Sequence, residues 1–530
     1  MINKITSLGL PRRRGFRTRM LVSPAFLTIC LAGASAANAK DFYIAQTPAG
    51  TGTGQNCANA LSYSFFNTSA NWGAGATQIS PGSTVHLCGV FNAPAGASGF
   101  LRFASGGSSG NPVTLLFESG AILQAPYFGA SGGAIDTAGN AFVTIDGGSG
   151  GIVRNTLNGS AGAVCPGGPC TSQQDSLAIS MIDCQNCTVR NLSIASMYVH
   201  ASLSDTADHG VYSLRIIDGN NVTIGPANTI TDCRWCVFYA YGKQDTNLTI
   251  AGNTIANAQH GMAIGNNGGT LNGVAVHDNT IHDWTNWDDS ADTNHQNALH
   301  IWAVGGGVIS NFSFYNNYLY GDMGIHATAM LFIEQNGGGV ISSPLVYNNI
   351  FDSTSAAHAP GNGLLYSQAG SCGLYNNVFR TATSASATIG VDLAASGCTL
   401  ENNVFENIWV AVYLEAGNSL TSDFNDYFQI GNWDYRGSFE GSFAAWSSAC
   451  GCDAHAITAD PALNTAFQPA AGSPVIGKGT NLSGLGIPNL NLDKAGVARG
   501  AAWDMGAFAF SGGAPAVAPA PPTNLTVSIQ

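Results

Sequence analysis

The chain has 530 residues, of which only 18 are basic and 31 acidic, alongside 67 glycines. Ordinary soluble domains are about one quarter charged, so this composition lacks the Glu, Lys and Arg that clothe solvent-facing helices. It excludes a helical bundle, a coiled coil and an ordinary nucleotide-binding α/β enzyme, while the net charge of −13 excludes the broad basic surface that nucleic-acid binding requires.

The N-terminus comes first in chain order. Lys4, Arg12, Arg13, Arg14, Arg17 and Arg19 precede an apolar run, Met20 to Ala34, and then small residues ending in Ala37-Asn38-Ala39. That order predicts a signal peptide over 1–39 cut before Lys40, and hence a secreted, periplasmic or cell-surface protein. Losing six positive charges takes the net charge from −13 to −19. Arg13-Arg14-Gly15-Phe16 partly resembles a twin-arginine signal, and the bulky Ile29 before Cys30 argues against a lipoprotein anchor. No later segment offers about 18 consecutive apolar residues, so no membrane span is expected. Thirteen cysteines less Cys30 leave twelve, an even number that in an exported chain favours disulfides. Cys184-x-x-Cys187 and Cys233-x-x-Cys236 have the alternative of a four-thiolate zinc site.

From 220 to 405 a short unit recurs: apolar, two residues, Asn, one residue, apolar. It reads Ile250-x-x-Asn253-x-Ile255, Val276-x-x-Asn279-x-Ile281 and Phe314-x-x-Asn317-x-Leu319. It continues as Val346-x-x-Asn349-x-Phe351, Leu374-x-x-Asn377-x-Phe379 and Leu400-x-x-Asn403-x-Phe405, with a looser copy at Asn228. Successive Asn lie 25, 26, 38, 32, 28 and 26 residues apart. Short β-rich runs with Asn at one recurring bend predict stacked coils whose inward residues form apolar columns. Asn there tolerates a left-handed backbone, and its amide can bond the next coil. A β-propeller would need longer strands and a steadier period of about 40–50. Cys372 and Cys398 occupy the same position in consecutive repeats, 26 residues apart. Stacked strands lie about 4.8 Å apart, within disulfide reach, so Cys372–Cys398 is predicted to staple two coils.

With this N-N-x-[IVF] pattern, the sequence over about 80–430 resembles the right-handed parallel β-helix proteins of the pectate-lyase-like superfamily. Residues 457–510, with Ala459-Asp460-Pro461, Gly472-Ser473-Pro474 and Asp504-Met505-Gly506, resemble a C-terminal segment of secreted bacterial β-helix proteins. The resemblance implies an all-β right-handed parallel β-helix with N- and C-terminal caps. The expected layout is a cap over 40–80, closed by Cys57–Cys88, coils over 81–430, a capping region over 431–510 and a Pro/Ala-rich tail over 511–530. A monomer is expected. The superfold hosts lyases, hydrolases, epimerases and inert adhesins, so chemistry must come from the site.

Two features mark a site. The 38-residue interval before Asn317 holds a loop, 282–297, with four Asp, two His and two Trp. On such a loop Trp284 and Trp287 are candidate sugar platforms, while Asp288 and Asp289 are candidate Ca²⁺ ligands, the one cofactor expected. Aligning the inward pairs Leu299/Ile301, Leu331/Ile333, Val391/Leu393 and Val412/Leu414 sends His300, Phe332, Asp392 and Tyr413 outward in one row. Trp302, Glu334 and Glu415 form a second row beside it, and His260 sits at the edge of the sheet. The resulting groove suits a polysaccharide partner. In a β-eliminative lyase a base such as His300, His295 or Lys243 removes the proton α to a uronate carboxylate. In an inverting hydrolase Glu334 pairs with Asp288, Asp289, Asp292 or Asp392 as acid and base. The Gly-His-Gly of β-helix polygalacturonases is absent, since His209-Gly210 and His260-Gly261 lack the first glycine, and no pectate-lyase arginine signature is found. Elimination is the leading expectation, with hydrolysis and a non-catalytic, adhesive glycan-binding surface as alternatives.

Overall fold

The computed structural model describes residues 40–291, 295–353, 358–382 and 388–512. The expected signal peptide and nearly all of the expected tail lie outside these residues. Almost every strand pairs parallel with its equivalent one coil on, as the right-handed β-helix requires. Each coil has three faces. The first face is a continuous parallel sheet that includes Thr84–Leu87, Thr270–His277, Leu345–Tyr347 and Cys398–Glu401. The second is built of three- or four-residue strands just after the recurring Asn, such as Thr280–His282, Tyr318–Tyr320 and Val378–Thr381. The third carries Val211–Ile217, Asn297–Val304, Leu331–Asn336, Ile389–Leu393 and Val410–Leu414. In Thr229–Ala240 and Thr254–Asn267 the second and third faces merge into one long bent strand.

The repeat motif divides its work between two adjacent residues. The left-handed backbone falls on the residue before the ladder Asn: Asp278, Asn316, Asn348, Asn376 and Asn402 have φ of 55°, 56°, 55°, 54° and 61°. The second Asn turns its side chain into the coil. Asn279 Nδ2 donates to Asn317 Oδ1 at 3.0 Å and to the Ile250 carbonyl at 2.9 Å, and its backbone N–H donates to the same Oδ1 at 3.1 Å. The pattern repeats at Asn317, Asn349, Asn377 and Asn403 and ends on Asn425. The single Asn that the sequence credited with both tasks is thus a pair, because one side chain cannot cap its own left-handed turn and also bridge coils. Each amide is fully satisfied in the interior, which is what makes its burial affordable. Inward rings pile up beside the ladder: Phe351, Phe379, Phe405 and Tyr427 stack at 4.8, 5.0 and 5.1 Å.

Six disulfides use all twelve cysteines after residue 40. Cys372–Cys398 joins consecutive coils and Cys57–Cys88 closes the N-terminal region, both as expected. Cys184–Cys187 and Cys233–Cys236 each close on themselves, which leaves no thiolates for the zinc alternative.

The stack begins earlier than the boundary at 81, since Asp41–Ala45 already pairs parallel with Thr84–Leu87. At the other end the helix Phe443–Cys450 closes the core with the fully buried Trp446. Residues 457–510 do not cap that end as expected. They run back along the outside of the coils, where Phe467, Val475, Met505 and Ala507 cover Ile350, Val378 and Val404 on the second face. Arg499 fixes this return by donating to Asn348 Oδ1 at 2.8 Å. The first and second faces are therefore partly covered, and the third face stays open.

Candidate functional site

Register on the third face places outward residues in rows. Phe238, Ala263, His300, Phe332, Tyr366, Asp392 and Tyr413 follow one another on consecutive coils. The sequence placed four of these in that order and passed over the coil that contributes Tyr366. Trp302 and Glu334 are neighbours in the second row. A third row runs Tyr212, Trp235, His260, Asn297.

Small residues turn this surface into a cleft. On the coil that carries His260, the neighbouring positions are Gly261, Ala263 and Gly265, flanked by the taller Trp235 and Phe238 on one side and His300 and Trp302 on the other. A Cβ at Gly265 would come within 2.7 Å of the Trp302 ring, so glycine is what lets that indole lie across the floor. The cleft has a volume of about 330 Å³ and its remaining walls are His260 and His295. Trp235 and Phe238 stack at 5.2 Å. Among the described residues no carboxylate lines it, which contrasts with the acidic chain as a whole.

The three imidazoles meet at its base. Ring centroids are 5.2 Å apart for His260–His295, 5.0 Å for His295–His300 and 5.9 Å for His260–His300. His300 Nε2 donates to Glu334 Oε2 at 2.9 Å. His295 Nδ1 lies 2.7 Å from Asn297 Oδ1, and that amide is oriented by its own donations to Thr328 Oγ1 and the Ala329 carbonyl. His260 is 5 % exposed and its buried Nδ1 has no hydrogen-bond partner. Burial pushes the pKa of His260 well below the ordinary imidazole value, and the adjacent His300 and His295 push the same way. Burial also lowers His300, against the opposing pull of Glu334, whereas the hydrogen bond from His300 lowers Glu334. The pair is thus a neutral imidazole donating to a carboxylate, with the proton held on Nε2 and the lone pair on Nδ1 left free.

Further along, Asp392 is 5 % exposed, and its Oδ1 has no partner. Burial, then Glu415 and Asp434, push its carboxyl up to about 7. Asp392 lies two coils from Glu334, so their strands are roughly 10 Å apart along the stack, with the strand of Tyr366 between them.

Other expectations are corrected. Trp284 is fully buried, with Nε1–H on the Asn297 carbonyl at 3.2 Å. Trp287 is 7 % exposed, donates to the Asn257 carbonyl at 2.8 Å and stacks on His200 at 4.8 Å. These indoles anchor the 282–297 loop to the coils, because in a loop otherwise this polar the two rings are the apolar surface there is to bury. Asp288 Oδ1 accepts from Gln296 Nε2 at 3.0 Å and from the Ile325 N–H at 2.9 Å, and Asp289 Oδ1 accepts from the Ala291 N–H at 2.9 Å. Both carboxylates thus hold hydrogen bonds within and beside the loop, and among the described residues neither belongs to a converging group of three metal-ligating side chains. Lys243 pairs with Asp183 and lies 3.6 Å from Asp218, outside the cleft. Asp292 lies outside the described residues. Among the described residues, the group of three or more metal-ligating side chains that converge is His260, His295 and His300, whose ring nitrogens lie within 4.8 Å of one another. Trp235 and Phe238 are the residues that the sequence left unassigned, and His260, expected at the edge of the sheet, stands inside the cleft. Their signal was the outward alternation of Thr229–Ala240 and Thr254–Asn267, interrupted by the left-handed residues Asp232 and Asn257.

No family model matches the chain, and no curated protein matches its sequence. Similar solved structures include pectate lyase Pel9A, at 13 % identity and TM-score 0.38, covering 89 % of this chain and 96 % of that one. A mannuronic acid specific polysaccharide family 6 lyase from human gut microbiota has 10 % identity and TM-score 0.36, covering 75 % and 77 %. The GH136 lacto-N-biosidase from Eubacterium ramulus has 12 % identity and TM-score 0.37, covering 74 % and 68 %.

Proposed function

We propose that the protein is exported, binds an extended acidic polysaccharide along the third face and cleaves it by β-elimination in the histidine cleft. The observation that carries this reading is the His300–Glu334 pair. A carboxylate fixes the tautomer of an imidazole kept neutral by burial, with the free Nδ1 beside an aromatic-walled cleft large enough for a sugar ring. His300 Nδ1 takes the proton α to the uronate carboxylate. The carbon–hydrogen electron pair becomes the new ring double bond, the bond to the glycosidic oxygen at the β carbon breaks, and that oxygen leaves with a proton from solvent. Neutral walls suit the step, because an enolate forming beside further carboxylates would be repelled. Trp302 and Trp235 offer faces for sugar rings, and Phe332, Tyr366 and Tyr413 continue the apolar track. Export is supported by the basic-then-apolar N-terminus, by twelve cysteines paired in six disulfides, which an oxidising compartment favours, and by the absence, among the described residues, of any helix long and apolar enough to cross a membrane.

A second reading is favoured by Asp392. A carboxyl held protonated to about 7 suits a general acid, with Glu415 or Asp434 as the base of an inverting hydrolase. The test is a polysaccharide panel assayed in parallel for ultraviolet-absorbing unsaturated ends and for reducing ends. Unsaturated ends that vanish in His300→Ala support elimination. Reducing ends without absorbance, lost in Asp392→Asn and kept in His300→Ala, replace it with hydrolysis. Binding without cleavage across the panel leaves a glycan-binding, adhesive surface.

A further inference from the structure

The three histidines do something a single base does not require. A proton acceptor needs one imidazole and its orienting partner, whereas here three rings from two coils converge. His260 comes from the strand Thr254–Asn267, His300 from Asn297–Val304, and His295 from the segment just before it. Their outer nitrogens are already engaged: His300 Nε2 by Glu334 at 2.9 Å and His295 Nδ1 by Asn297 Oδ1 at 2.7 Å. Each therefore points its other nitrogen toward the group, the arrangement in which outer acceptors orient metal-bound histidines. The third ring supplies an independent sign. His260 is 95 % buried and its Nδ1 has no partner, a state that costs about 1–3 kcal/mol unless a ligand satisfies the group.

We propose that His260, His295 and His300 form a binding site for one divalent transition-metal ion of the Zn²⁺ type, with a coordination position open to the cleft. Imidazole donors without a carboxylate select Zn²⁺, Cu²⁺, Ni²⁺ or Co²⁺ over Ca²⁺ or Mg²⁺. A tetrahedral ion with bonds of about 2.0–2.1 Å holds its donors roughly 3.3 Å apart. Ring nitrogens that lie within 4.8 Å of one another reach that spacing by side-chain rotations of the order of 1 Å. Three ligands plus an open position is the pattern of sites that exchange water for a substrate oxygen. The proposal stands whether or not the chain cleaves a polysaccharide. On the elimination reading it adds a consequence: a bound ion takes the lone pair of His300, so the metal-loaded cleft has no free imidazole base and Zn²⁺ inhibits.

Chelator-stripped, untagged protein from residue 40 onward is titrated with Zn²⁺ by calorimetry and with Co²⁺ by visible absorption. The expected result is one ion per chain, a dissociation constant below about 1 µM for Zn²⁺, and a Co²⁺ ligand-field band of four- or five-coordinate intensity that Zn²⁺ abolishes. His260→Gln and His295→Ala each weaken binding by about 100-fold or more, and Glu334→Gln by about tenfold, with unchanged thermal unfolding of the metal-free variants confirming the fold. His295 comes from the loop side, so its variant keeps the test informative if His260→Gln unfolds. No binding by folded wild type, or tight binding kept in His295→Ala, overturns the proposal. Elimination that depends on His300 without any metal binding sinks the metal site alone. Metal binding without elimination on the panel sinks the catalytic reading alone.

Discussion

Around His300 the open face carries imidazoles and indoles, and around Asp392, three coils along the same row, it carries carboxyls and phenols. The backbone beneath is the same parallel ladder on the same Asn column. At both ends burial and like-charged neighbours push the deepest ionisable group toward its neutral form. The consequence is opposite. A neutral imidazole at His260 or His300 offers a lone pair, while a neutral carboxyl at Asp392 offers a proton. One rule of electrostatics thus prepares a base at one end of the groove and an acid at the other. Three coils amount to roughly 14 Å, so the two cannot serve one bond and must be separate stations along an extended chain. They also differ in partnership: Glu334 holds His300 in place, whereas the buried Oδ1 of Asp392 is unpartnered.

The comparison breaks most sharply on activity. His300→Ala is expected to lower kcat by about 10³-fold, and Glu334→Gln, which loosens but does not remove the base, by about 10–100-fold. Asp392→Asn should change it by less than about threefold. Steady-state kinetics on the best substrate of the panel checks all three, and the reverse ranking would move the chemistry to the acidic end. The next effect concerns the common scaffold. Asn279→Ala under the histidine cleft and Asn403→Ala under the acidic end each strand several buried ladder groups. Both should lose about 2–4 kcal/mol in denaturant unfolding, and unequal losses would show that the ladder does not support the two ends alike. A smaller contrast lies in sugar contact. Trp302→Ala should raise KM about tenfold with kcat nearly unchanged, and Tyr413→Ala should raise it by less than about threefold, if binding centres on the cleft.

The fold was legible because its signals are periodic. Asn at recurring intervals, period-two inward pairs and cysteines one coil apart are local statements that each repeat makes again. The rows through His300, Phe332 and Asp392 were legible for the same reason. The cleft was harder, since its depth comes from what is missing at Gly261, Ala263 and Gly265, and small residues read as turns in a chain this rich in glycine. The 282–297 loop misled in the other direction. Trp and Asp in a long insertion look like binding groups, yet here Trp284, Trp287 and Asp288 spend their surfaces fastening the loop. Among its described residues, His295 and the Asn297 that orients it are delivered to the site. The C-terminal return escaped because covering Ile350, Val378 and Val404 is a long-range contact that no local pattern announces.

The smallest expected effect isolates the electrostatics of the acidic end. Asp392 holds its proton in the folded state up to about 7, while an unfolded aspartate loses it near 3.9. Between those values the folded state binds more protons than the unfolded one, so this residue makes stability fall as pH rises, and the full penalty is present above about 7. Asn carries no such linkage. Asp392→Asn should therefore leave the unfolding temperature unchanged near pH 3, where the wild-type residue is largely protonated in both the folded and the unfolded state, and raise it by about 1–2 °C at pH 8. The gain stays modest because solvent reaching the groove recovers part of the carboxylate's cost and the buried amide needs partners of its own. Replacing Glu415 by Gln removes the larger of the two neighbouring repulsions, and should give part of the same gain at pH 8 while leaving the histidine cleft untouched. A gain of equal size at both pH values would mean that folding does not raise the pKa of Asp392, and that near neutral pH the acidic end holds a charge where the comparison with His300 requires a proton.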